Sequence, residues 1–178
     1  MYPKSISVAD GSTLIAGIEI PSTDPIFLAI VGVHIPLGLA AVATGAIAML
    51  SNKGRGRHST FGTIYFWCLL AITVSATLLS ITRWAEDFHL FALGAAAFVC
   101  AWFGRLAVRR DWIRLHLSSM GSSYTLMLIA FYVDNGPQLP LWRSFPHITY
   151  WMLPLVVAIP IVTWALLRHP LAQSSRAP

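Results

Sequence analysis

Five stretches of this chain are apolar over the length that a lipid bilayer demands, and that constrains the fold more than anything else in the sequence. They run Ile26 to Leu50, Ser59 to Ile81, Phe88 to Ala107, Ile113 to Val133 and Ile148 to Leu167. Each is close to the roughly 20 residues needed to cross about 30 Å of hydrocarbon as a helix. In lipid every backbone N–H and C=O has to be paired within the segment or with its neighbours, so such stretches form helices. Composition agrees. Charged residues are 11% of the chain, hydrophobic residues 56% and mean hydropathy is +0.67, whereas soluble domains carry about 25% charged residues. The expected fold is an all-α integral membrane bundle of five transmembrane helices in a single domain. An extracytoplasmic arm (1–25) precedes the helical region (26–167), a cytoplasmic tail (168–178) follows it, and the first four helices form the core of the bundle.

The charges set an expected orientation. With the N-terminus outside, Lys53, Arg55, Arg57, Arg105, Arg109, Arg110, Arg114, Arg168 and Arg176 lie on the cytoplasmic side and Lys4, Arg83 and Arg143 lie outside. Basic residues near membrane ends favour the cytoplasmic face, so a bacterial inner membrane with an outside N-terminus and a cytoplasmic C-terminus is expected. The net charge of +5 is then a matter of topology and membrane lipid. Nucleic-acid binding, which needs a basic face on a soluble domain, is excluded. The N-terminal arm lacks the charged and apolar regions of a cleaved signal; it is expected to pair in part with the loop near Asp134. Pro25 suits a helix start. Cys68 and Cys100 lie one per helix without metal-binding or disulfide spacing and read as packing residues.

Histidine carries the chemistry. Four successive apolar segments each have one near their start: His34, His58, His89 and His116. Because direction alternates, His34 and His89 are expected near the outer face and His58 and His116 near the inner one, as two pairs stacked in depth. Ionisable groups inside a membrane are costly and mark functional sites by default, and neutral imidazole is the commonest side-chain metal ligand. His147 and His169, at segment ends, read as structural. A glycine follows each of the four at helical spacing: Gly38, Gly62, Gly94 and Gly121. A missing side chain about one turn deeper leaves the shallow helix surface that a flat macrocycle needs, although small residues also serve close helix packing. Arg57 and Arg114 are suited to meet the anionic groups of such a cofactor.

This alternation, first helix with third and second with fourth, resembles the two-haem b-type transmembrane cytochromes, which implies two bis-histidine haem b groups, electron transport and an oxidoreductase role. A second resemblance covers most of the chain. The strings HSTFGTIYF, RDWIRLHLSSMGSSY, AFYVDNGPQLPLW and YWMLPLVVAIP are similar to those of an uncharacterised bacterial family of multi-pass membrane proteins, including a histidine before Gly-x-x-Tyr (His58, Gly62, Tyr65) and a His-x-x-x-Met segment (His116, Met120).

The leading expectation is electron transfer through haems on His34/His89 and His58/His116, exchanging electrons with a quinone or small reductant, in a chain that forms a homo-oligomer. Two alternatives stand beside it. One is a metalloenzyme holding a zinc-like ion on His58, His116 and Asp111, or on His34, His89 and Asp87. The other is a non-catalytic subunit of a membrane complex in which the histidines bond helix to helix. The loop VDNGPQLPLWRSFPH has strong turn chemistry at Asp134 to Pro137; it reads either as a lid over the outer helix ends or as a plain connection.

Overall fold

The computed structural model describes residues 13–15, 18–20, 24–53 and 56–168. Its order is β1 (Thr13–Ile15), β2 (Ile18–Ile20), α1 (Pro25–Leu50), α2 (Arg57–Thr82), α3 (Trp84–Val108), α4 (Ile113–Asn135), a 3-10 turn Gly136–Gln138, and α5 (Ile148–Arg168). The five expected helices are present. The arm's two short strands pair with each other in antiparallel register, Thr13 opposite Ile20.

Local chemistry explains the boundaries. Asp24 caps α1, its carboxylate accepting from the Ile26 amide at 3.0 Å, and Pro25 occupies the first turn, where no N–H is needed. Gly56, at φ +110, reverses the chain before α2 in a conformation that only glycine adopts cheaply. Arg83 alone separates α2 from α3, so those two helices are held close at that end. The turn chemistry at Asp134 to Pro137 acts two residues later than its composition suggests: α4 continues through Asn135, and the turn begins at Gly136.

Four helices, α1, α2, α3 and α5, are long and apolar enough to cross a membrane. The fifth, α4, has 23 residues, about 35 Å at 1.5 Å per residue, and carries the run Ser118-Ser119-Met120-Gly121-Ser122-Ser123. Its lower hydropathy follows from its place, since α4 packs against α3, α5 and, more lightly, α1 and buries Ser123, Thr125, Met127, Ile129 and Val133. A helix surrounded by protein has no need of an apolar outer face.

The core lies between α1, α2, α3 and α4, built from Ala41, Tyr65, Phe66, Leu69, Ala97, Ala101 and Met127. Small residues bring the backbones together. A methyl group on Gly45 would stand 2.5 Å from the Tyr124 ring, and in that space Tyr124 Oη donates to the Val42 carbonyl at 3.0 Å. A smaller cluster of Ile129, Val133 and Tyr150 joins α4 to α5. Tyr150 Oη donates to the Trp142 carbonyl at 2.9 Å, which ties the 136–147 connection down to α5.

Candidate functional site

His58 and His116 come together. Their ring centroids are 6.2 Å apart and their planes nearly perpendicular, at 83°. Each opens its helix: His58 is the second residue of α2 and His116 the fourth of α4, so both stand at the end of the bundle that carries Lys53, Arg57, Arg105, Arg109, Arg110 and Arg114. Each is fixed by a neighbouring helix. The His58 Nδ1 lies 2.8 Å from the Ala48 carbonyl at the end of α1, and the His116 Nδ1 lies 2.8 Å from the Gly104 carbonyl near the end of α3.

A carbonyl can only accept, so in both rings Nδ1 carries the hydrogen and Nε2 carries the lone pair. A hydrogen bond of this kind orients metal-ligating imidazoles and raises their basicity. The spacing is also telling. Two imidazoles on opposite sides of one metal, each with a bond of about 2 Å and a ring radius of about 1 Å, have centroids about 6 Å apart.

The floor below the pair is polar. Tyr65 and Ser123 each lie seven residues beyond a site histidine, on the same helix faces and about 10 Å deeper. Tyr65 Oη and Ser123 Oγ are 2.8 Å apart, with Tyr65 2% and Ser123 0% exposed. Between the levels lies Gly62, where an added methyl group would meet nothing within 4 Å.

His34 and His89 are placed otherwise. His34 Nδ1 is 2.8 Å from Ser75 Oγ on α2. Ser75 already gives its proton to the Ile72 carbonyl, so His34 is the donor and its Nε2 again holds the lone pair. His89 turns toward α5, its ring 6.1 Å from that of Trp151. No ring contact or hydrogen bond joins His34 to His89 among the described residues. His147 is exposed and packs edge-on against Tyr150 at 5.8 Å; His169 lies outside the described residues.

The four glycines divide by role. Gly38 and Gly62 border open space. Gly94 lies against α2, its carbonyl accepting from Thr73 Oγ1 at 3.3 Å. Gly121 faces α5, where an added methyl group would stand 2.6 Å from Val162, so it serves the α4–α5 contact. Arg57 lines a shallow groove with Ile47, Leu50, Ser51 and Asn52 at the α1–α2 corner, beside His58. Arg114 is half-buried in the first turn of α4, one turn from Ser118, which donates to its carbonyl. Lys53 donates Nζ to the Met49 carbonyl, and desolvation there lowers its pKa below the usual lysine value. That cation caps α1 and is not available to the histidines.

Asp111 sits in the α3–α4 turn, exposed and at φ 57. Among the described residues no three of His, Cys, Asp and Glu gather into a metal-binding group, so neither zinc triad assembles there. Two features of the site escaped the sequence reading. The Ala48 and Gly104 carbonyls carry no residue-type signal at all, whereas the Tyr65–Ser123 pair was visible in principle as the seven-residue echo of the two histidines. No family model matches the chain, and neither a curated protein nor a solved structure does.

Proposed function

We propose that this chain is a membrane electron-transfer protein that holds one b-type haem between His58 and His116. The observation that carries the reading is the 6.2 Å separation of the two imidazoles, each oriented through Nδ1 by a backbone carbonyl of a neighbouring helix. Two protein ligands suffice for an iron whose other four positions belong to a macrocycle. A bare zinc-like ion takes three or four, which the described residues do not bring together.

When bound, the haem supplies reversible one-electron transfer. The residues do the rest. His58 and His116 would hold the iron through Nε2, and the carbonyls of Ala48 and Gly104 stop the rings from rotating. Buried Tyr65 and Phe66 exclude water on the deep side, which keeps the local dielectric low. The open surface at Gly62 gives the macrocycle a wall without a side chain. His34 and His89, turned to Ser75 and Trp151, are left out of the haem site.

In this reading the chain sits in a bacterial cell membrane with its N-terminus outside, on the nine-to-three asymmetry of basic residues. The haem end is then cytoplasmic, and the exchange partner is a quinone or a small reductant. The test is haem stoichiometry of purified protein by visible difference spectroscopy, with one haem per chain expected. Protein expressed with ample haem supply that shows no haem absorption overturns the proposal.

A further inference from the structure

Arg105 belongs to the last turn of α3 and follows Gly104, the residue whose carbonyl holds His116. A basic side chain near the end of a membrane helix ordinarily reaches out to the headgroups. This one does not. Its Cζ lies 4.9 Å from the centroid of the Phe66 ring, and Phe66 is 4% exposed. Phe66 also touches Phe98 and Trp102 of α3, so the guanidinium lies at the α2–α3 seam.

Two further observations bear on what it does there. The seam is closed deeper in the bundle, where Thr73 meets the Gly94 carbonyl and Phe66 meets Phe98, but Gly62 has nothing within 4 Å. Gly62 is one turn from both His58 and Phe66, so open space adjoins α2 between the histidine pair and the Phe66 ring. The guanidinium also has no anion. Arg105 makes no hydrogen bond or ion pair among the described residues, and the one ion pair among them is Arg83–Glu86 on another turn. The cation–π contact satisfies the face of the guanidinium and leaves its in-plane N–H donors unmatched.

We propose that Arg105 binds an oxyanion at the α2–α3 seam. The donor geometry suits a carboxylate of the cofactor held by His58 and His116, and it suits equally the phosphodiester of a lipid headgroup; both are planar or forked acceptors that a guanidinium grips with two hydrogen bonds. The carboxylate assignment rests on the haem reading, and the headgroup assignment does not.

The experiment compares the parent, R105Q and R105K, each in neutral detergent and loaded either with haem or with haem dimethyl ester, whose carboxylates are blocked. The readouts are the rate of transfer to a soluble haem scavenger and the phosphatidylglycerol retained by each protein in native mass spectrometry. Loss of one charge-assisted pair corresponds to a roughly tenfold faster release. With a carboxylate as the ligand, R105Q releases haem roughly tenfold faster than the parent does, R105K lies between them, and the ester erases the difference. With a headgroup as the ligand, haem and ester leave all three proteins alike and R105Q loses its retained phosphatidylglycerol. R143Q, altered at the opposite end, changes neither readout. If R105Q and R105K match the parent in both, the proposal is overturned. A parent that takes up neither haem nor ester overturns the proposed function, and the lipid readout still decides Arg105.

Discussion

An imidazole half-buried in a membrane bundle has to place its N–H, and in this protein three histidines solve that in the same way. His58, His116 and His34 each donate from Nδ1 to an oxygen on the next helix, which fixes the tautomer and hands the lone pair to Nε2. At this scale the glycines make a sharp prediction. Gly45 is a packing glycine, with Tyr124 at 2.5 Å and Tyr65 at 3.0 Å from where a methyl group would stand. Gly45→Ala should therefore cost about 1–3 kcal/mol of stability through overpacking, measured as loss of folded protein on heating in detergent. Gly62→Ala should cost little stability, because nothing lies in its way. The sequence made the His58–His116 pairing legible through parity of direction and depth along α2 and α4. It did not reveal that His34 turns to Ser75 or His89 to Trp151. The reason is physical: a helix apolar all round carries no periodic stripe to say which face points inward, so depth is readable where rotation is not.

Among the elements, α4 departs most from a uniformly apolar span, while α5 packs against the four-helix bundle as expected. The polar run of α4 marks a helix enclosed by neighbours, and its serines and threonines satisfy themselves against the preceding turn, as Thr125 does against the Gly121 carbonyl at 2.8 Å. Helix α5 packs mainly on α4, through Gly121 and Val162 at one level and Gly136 and Tyr150 at the other, and meets α3 where Trp151 lies against His89. Gly121→Leu is therefore expected to loosen α5, seen as faster proteolysis within 148–168, while the proposed haem binding at His58 and His116 is kept. Equal loss of haem and of α5 protection would instead make Gly121 part of the cofactor wall. The connection 136–147 was readable as turn chemistry plus interface-seeking aromatics. Its anchoring by Tyr150 was not, because a hydroxyl aimed at a carbonyl eight residues back leaves no periodic trace.

For the whole molecule, segment length and charge asymmetry were enough to give an all-α membrane bundle, since lipid leaves a chain few alternatives. The same asymmetry predicts that a reporter fused after Pro178 behaves as cytoplasmic, and that one placed in the Arg83 turn behaves as extracytoplasmic. The reverse pattern would put the histidine pair on the outer side of the membrane. The central claim is that one haem is held between the second and fourth helices, and the reduced-minus-oxidised visible spectrum of purified parent, His58→Ala, His116→Ala and His34→Ala proteins tests it most directly. The account predicts one haem per chain in the parent and in His34→Ala, and none in either His58→Ala or His116→Ala. Haem retained in both of the latter variants, or no haem in the parent, would contradict it.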